Sequence, residues 1–335
     1  MISFFKNFSF TDSIFSKNQD CVTMFKSVLA NKERLYKNNS NCSYTNRYCS
    51  QVQFNILVCG GYNYTSKSSS AVASLNIFNK IKNLPPMKKE RNFFEAVCSK
   101  GEVYVFGGYN SFYNWVKIIE KFSPSTNTWT EVTNMFDERQ KFCTCAFMNK
   151  MYIFGGSFYN RTYNHLLTTS SCLEFNTKHN SFKNITRMNV GRRYAACVAF
   201  QGNIVVSGGM DFNDSNLNSV ESYDVFANTW STMPNTINRK SFHNLVVVKE
   251  KLFVIDKGID SCEVYDNVCK KFVSLKNQPS IAHSKCVPMC NKIIIFQEKI
   301  SSLICYDVNK DEWAEESCQV TRHLQDFSLA KLPQY

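Results

Sequence analysis

No stretch of the 335-residue chain approaches the roughly 18 consecutive apolar residues that a membrane span needs, so no spanning helix is expected. Histidine is scarce: His165, His179, His243, His283 and His323 are the full set, each in a different sequence context, and they offer no convergent ligands for copper chemistry. No G-x-G-x-x-G opens a helix, and no phosphate loop, Ser/His/Asp arrangement or paired carboxylate set is visible, so catalysis is not expected. The formal charge of +12 favours an acidic partner, yet no five basic residues are consecutive and no nucleic-acid-binding signature accompanies them. Nucleic acid is therefore not the expected partner. The opening "MISFFKNFSFTDSIF" is interrupted by Lys6, Asn7 and Asp12 and has no small-residue cleavage site. No signal peptide is expected, which leaves the cytoplasm as the default compartment.

What the chain does have is apolar and aromatic bulk, with 44% apolar residues, 28 Phe and 16 Tyr, a β-leaning composition able to fill a large core. Its 15 cysteines are odd in number, and many sit inside strand-like runs (Cys59, Cys98, Cys143, Cys145, Cys197), where a reduced thiol behaves as a small hydrophobe. "CTC" (143–145) and "CVPMC" (286–290) lack the second ligand pair that zinc needs, so no metal and no cofactor is expected.

The informative pattern is a repeat. "FNILVCGGYNYT" (54–65), "EVYVFGGYNSFYN" (102–114), "NKMYIFGGSFYN" (149–160) and "GNIVVSGGMDFN" (202–213) each run from an apolar strand into two glycines. The pairs begin at Gly60, Gly107, Gly155 and Gly208, so they stand 47, 48 and 53 residues apart. "KLFVIDKGID" (251–260) and "KIIIFQEKI" (292–300) continue the series with Asp256–Lys257 and Gln297–Glu298 in place of glycine. Units two to six then carry two aromatics seven residues apart: Phe122/Trp129, Phe175/Phe182, Tyr223/Trp230, Tyr265/Phe272 and Tyr306/Trp313. The turn formers between them predict a hairpin. Met135/Arg139, Met188/Arg192 and Met233/Arg239 follow, then a strand of small residues such as "AACVAF" (195–200).

Four strands per unit at this period predict a β-propeller, with the late Trp or Phe on the outer strand. The chain resembles the kelch superfamily over residues 51–335, most closely the propeller of kelch-like (BTB–BACK–kelch) proteins. The resemblance implies an all-β fold, a six-bladed kelch propeller. Unit one lacks its own small-residue inner strand, and "TRHLQDFSLAKL" (321–332) supplies one with no strand after it. Phe327–Leu332 is therefore expected beside Ile56–Cys59, closing the ring and removing its edges. Residues 1–50 form a short, partly helical extension, drawn as one helix over 21–38 and read as a BACK-domain remnant. A BTB domain is absent from this reading, so direct cullin binding is not expected of the chain alone.

In kelch-like proteins the residues after the glycine pair, and the basic stretch before the inner strand, face the channel mouth. By that likeness the partner-binding set is Tyr62, Asn63, Tyr109, Asn110, Ser157, Phe158, Met210 and Asp211, joined by Lys141, Arg193 and Ser241. Arg91, Arg139 and Arg239 are assigned to turn-capping or inter-blade hydrogen bonds. From the second glycine position to the next repeated aromatic, units one to four take 17, 14, 19 and 14 residues, and units five and six take 8 each. The long, aromatic-rich loops place a protein-binding site on the side of units one to four. The resemblance implies a non-enzymatic, substrate-recognition part of a cullin-type ubiquitin ligase adaptor, binding a protein through an acidic segment. Its alternatives are a cytoskeletal scaffold that binds actin and, third, a propeller oxidase or sugar epimerase.

Overall fold

The computed structural model describes residues 55–60, 62–63, 66–68, 70, 72–76, 80–160, 165–297, 302–317 and 328–332. The expected helix at 21–38 and the whole 1–50 extension lie outside them.

The second strand of each unit shows why these segments become blades. In Glu102–Phe106, Val103 and Val105 pack toward unit one, while Tyr104 and Phe106 pack toward unit three. Lys150–Phe154 repeats this, with Met151 and Ile153 on one side and Tyr152 and Phe154 on the other. A strand alternates its side chains between two faces, so an unbroken apolar run suits a sheet covered on both. Among the described residues there are six four-stranded antiparallel sheets, and apolar clusters fill the space between neighbouring sheets from the first to the sixth.

The innermost strands are Glu95–Ser99, Cys143–Phe147, Ala196–Phe200, Asn244–Val248 and Ser284–Met289, and each touches the next. Ser328–Leu332 contacts both Ser284–Met289 and Glu95–Ser99, so the cycle returns on itself as a β-propeller. That strand pairs antiparallel with Asn55–Cys59, from Asn55 opposite Leu332 to Cys59 opposite Ser328. It is the expected seam between the chain's two ends; Phe327 lies outside the described residues.

The seven-residue aromatic spacing becomes a cross-strand pair in each hairpin. Phe122 faces Trp129, Phe175 faces Phe182, Tyr223 faces Trp230, Tyr265 faces Phe272 and Tyr306 faces Trp313, with ring centroids 5.3, 4.8, 5.0, 5.2 and 4.6 Å apart. The three indoles also tie each outer strand to the preceding unit. Trp129, Trp230 and Trp313 donate Nε1–H to the carbonyls of Pro85, Thr186 and Lys276 at 2.8, 2.8 and 3.0 Å.

The glycine pair sits where the chain passes the linker to the next unit. A Cβ on Gly155 would stand 2.2 Å from the Arg192 carbonyl oxygen, and one on Gly156 would stand 2.6 Å from that of Gln140. Gly155 and Gly156 have φ of 62° and 95°, which side chains resist. Gly156 N–H reaches the Arg192 carbonyl at 2.8 Å, so the missing side chains allow a backbone bond between blades.

Four linkers contribute a buried cation. Arg91 donates to the carbonyl of Gly107 and pairs with Glu120 at 2.9 Å. Arg192 donates to that of Gly208 and pairs with Glu221 at 2.6 Å. Arg139 donates to that of Gly155 and takes its carboxylate locally, from Asp137. Arg91 and Arg139 thus cap the turn of the unit they lead into; Arg239 donates to the Asn216 carbonyl of unit four at 3.1 Å, but it is exposed and does not hold the buried place of Arg91 and Arg139. Lys240 occupies the place instead, buried and paired with Glu263 at 2.5 Å. The phase of unit four is set by backbone: Met135, Met188 and Thr236 each donate N–H to the carbonyls of Lys117, Ser170 and Asn218, so Thr236 and not Met233 is the counterpart of Met135 and Met188.

Cys59, Cys143, Cys145, Cys172, Cys197 and Cys262 are free thiols in or against these cores. Burial pushes the Cys59, Cys145, Cys172 and Cys262 thiols up to about 12, which keeps them protonated and apolar in character.

Candidate partner-binding face

The loops after the second strands and the linkers before the inner strands meet at one end of the ring. Short antiparallel bridges join them: Asn92 to Tyr109, Gln140 to Ser157 and Arg193 to Met210. The loops of units two and four share one design. Asn110 Oδ1 accepts from the N–H groups of Phe112 and Asn114, and Asp211 Oδ1 accepts from those of Asn213 and Ser215. Asn110 and Asp211 therefore turn their oxygens inward to shape the loop. The apolar side chains they leave outside are Phe112, Tyr113 and Phe212, between 71% and 79% exposed.

Arg193 is likewise engaged with its surroundings. It pairs with Asp214 and donates to Thr168 Oγ1 at 2.6 Å and to the Asp211 carbonyl at 3.2 Å, stapling the loops of units three and four together. Ser157 and Ser241 are buried, and Phe158 and Met210 are half-buried. Phe158 lines a shallow depression with Tyr159, Lys117, Asp137 and Glu138. Tyr62 and Asn63 form a two-residue strand against Ser66–Ser68. Tyr109 stands at the mouth, its ring 5.7 Å from Phe93 and 5.6 Å from Tyr113.

Lys141 does not share a position with Arg193 and Ser241, as the likeness had placed it. It stands one residue further on, with Phe93, Tyr194 and Phe242 as its counterparts, each two residues after the buried cation of its linker. All four adopt left-handed backbone, with φ of 50°, 59°, 56° and 58° for Phe93, Lys141, Tyr194 and Phe242. Bulky side chains seldom accept this conformation. Here it lets successive linkers bond across the blades: Tyr194 N–H donates to the Lys141 carbonyl at 2.8 Å and Phe242 N–H to the Tyr194 carbonyl at 3.0 Å.

The side chains of this girdle form a continuous arc. The Lys141 ammonium lies 5.5 Å from the Phe93 ring centre and 5.0 Å from that of Tyr194. Tyr194 stacks on Phe242 with centroids 3.7 Å apart. Phe242 meets the His283 ring edge-on at 5.5 Å, and Lys257 stands 6.0 Å from the Phe242 centre. Of the residues expected at the face, Lys141 lies in this arc and Tyr109 borders it at Phe93; Phe93, Tyr194, Phe242, Lys257 and His283 were not among those expected. The signal available was the fixed offset of two from Arg91, Arg139, Arg192 and Lys240. Among the described residues no three His, Cys, Asp or Glu side chains converge as metal ligands. The arc offers π-faces and cations, which suit recognition of apolar and anionic groups.

Comparison with known proteins matches residues 46–258 to a family described as the KLHDC2/KLHL20/DRC7 Kelch-repeats domain. The chain is 23% identical over 263 residues to Kelch repeat and BTB domain-containing protein 2 of Ectromelia virus (strain Moscow), covering 78% of this chain and 39% of that protein. It is 26% identical over 218 residues to Kelch-like protein 35 of Mus musculus, covering 60% of this chain and 36% of the relative. With Kelch-like protein 23 of Homo sapiens the identity is 26% over 150 residues, with coverage of 44% and 25%. The chain thus spans between a quarter and two-fifths of the length of these curated relatives.

Proposed function

The chain belongs to the KLHDC2/KLHL20/DRC7 Kelch-repeats domain family, and from that premise we propose that its loop face binds a protein partner without catalysing a reaction on it. The observation that carries this reading is the arc from Phe93 to His283. Aromatic rings interleaved with cations on a rigid ring supply large contact area at little conformational cost, the usual composition of a binding hot spot. The lysines favour an acidic segment. Likeness to proteins whose names join kelch repeats to a BTB domain supports a role as the substrate-recognition part of a ubiquitin ligase adaptor.

The test is affinity capture of the tagged chain from extract of its own cells, beside a Tyr194→Ala/Lys141→Glu variant whose melting curve is checked first. A partner captured by the parent and lost from the folded variant supports the reading. Partners retained in full by the variant would place recognition elsewhere on the ring. A cullin among the face-dependent partners supports the ligase role, and its absence confines the chain to binding.

A further inference from the structure

We propose that the arc reads a short extended segment in which an apolar or aromatic residue is flanked, two positions away on each side, by acidic residues. This deepens the protein-binding role and rests on it. The centre of the site is the Tyr194–Phe242 stack, with Phe242 37% exposed. Lys141 stands on the Tyr194 side at 5.0 Å and Lys257 on the Phe242 side at 6.0 Å. Both ammonium groups are thus tethered to the platform, one at each end. The two ring distances and the stacking distance limit the separation of the cations to about 15 Å, and in an extended strand residues i and i+4 lie about 13 Å apart.

The same geometry fixes which residues face the site. Side chains at i, i+2 and i+4 of a strand project to one side. The middle one covers the ring stack, and the outer two bring carboxylates to Lys141 and Lys257. A helical segment would place i and i+4 only about 6 Å apart, too close to span the stack. Loop length also sets the side of entry. The loop of unit five is 8 residues long on the measure that gives units two to four 14, 19 and 14, so the Lys257 end is the low side of the rim. The segment enters over unit five and runs toward the higher loops that carry Phe112 and Phe212.

The probes are synthetic fluorescent peptides of sequence Glu-Ser-Leu-Ser-Glu with Gly-Ser flanks, titrated to millimolar concentration against the whole chain by anisotropy. Comparison peptides carry the acids at adjacent positions, or lysines in place of the acids. The spaced acidic peptide should bind at least tenfold more tightly than either. Lys141→Glu and Lys257→Glu should each weaken it about tenfold, and the double variant should prefer the lysine peptide. Lys257→Met, which keeps most of the stem, guards against a variant that misfolds. Absence of binding by the spaced peptide, indifference to spacing, or no charge-swap preference overturns the proposal. If capture of a face-dependent partner survives such a result, the binding role stands and only the motif falls. If both fail, so does the face.

Discussion

Units two to four and units five and six make the same joint by different chemistry. In the former, a glycine pair brings bare backbone against the next linker, while the arginine of the linker leading into the unit holds the first glycine's carbonyl. In unit five, Asp256 stands in the first glycine position, and the turn is built from side chains. Ser261 Oγ donates to the Asp256 carbonyl at 3.1 Å, Gln278 Oε1 accepts from Cys262 N–H at 2.7 Å, and Gln278 Nε2 reaches the Gly258 carbonyl at 2.9 Å. Unit six follows suit with Gln297 Oε1 accepting from Ala282 N–H at 2.7 Å. Both units still complete four-stranded sheets. The blade is specified by its buried strands and hairpin pairs, and the glycines are one of two ways to turn the corner beneath the loops.

The largest effect should come from removing a buried cation. Arg192→Leu leaves Glu221, which also accepts from the N–H groups of Asn189 and Val190, buried without its countercharge. The expected cost is about 3–5 kcal/mol in urea denaturation. Lys240→Leu should cost a similar amount, because Glu263 is fully buried and Asp256 lies 4.0 Å from the ammonium. Arg239→Leu, at the position the sequence favoured, should stay within about 0.5 kcal/mol. A large loss at Arg239 and none at Lys240 would reverse the phase assigned to unit four.

Next in size is the glycine contrast. Gly155→Ala forces a methyl onto the Arg192 carbonyl in addition to its unfavourable φ, and should cost about 3 kcal/mol. Gly258→Ala in unit five shares the unfavourable backbone, with φ of 103°, but its methyl would meet only Ser261 Oγ at 3.9 Å. It should cost about 1–2 kcal/mol, as strain alone. Equal losses at both sites would mean that backbone strain, and not the approach of the linker, makes glycine necessary.

Much of this fold was legible because its signals are local. Two glycines, or two aromatics seven apart, announce themselves in a few residues, and the unmatched strand at 328–332 could be assigned by counting. The buried carboxylates were not legible. Glu221 in "VESYD" looks like any polar residue of a half-exposed strand until the sheet is covered on both faces and Arg192, 29 positions away, is brought to it. Nor was the arc: Phe93, Tyr194 and Phe242 lie next to apolar strands and count as core by composition. Only the left-handed backbone, which turns them out at the rim, distinguishes them. The loop-shaping bonds of Asn110 and Asp211 were hidden for the opposite reason, since polar loop residues are as apt to hold the loop as to meet a partner.

The smallest effect at neutral pH, and the sharpest probe of the unit-four joint, concerns His243. Its ring lies against Gly208, where Phe142 lies against Gly107 and Phe94 against Gly60, so a phenyl fits this place in sister units. Nε2 shares a hydrogen bond of 2.7 Å with Ser207 Oγ. Burial, assisted by the charges of Lys240 and Arg192, lowers the His243 pKa from 6.5 to about 3. The folded state therefore keeps the ring neutral while the unfolded chain takes up a proton below pH 6.5, so this contribution is present in full above that pH and is lost as pH falls toward 3. Burial raises the carboxyl pKa values of Glu95 and Asp256, which act in the opposite sense, so total stability alone is a poor measure. The difference between the parent and a His243→Phe/Ser207→Ala double variant isolates the effect. Replacing both partners by apolar groups should change stability little at pH 7.5. Between pH 6.5 and 4 the variant should gain on the parent steadily, approaching one proton's worth of slope, about 1.4 kcal/mol per pH unit. Parallel curves over that range would show that the imidazole takes up its proton in the folded blade, and that the joint beneath Gly208 opens enough to admit the charge.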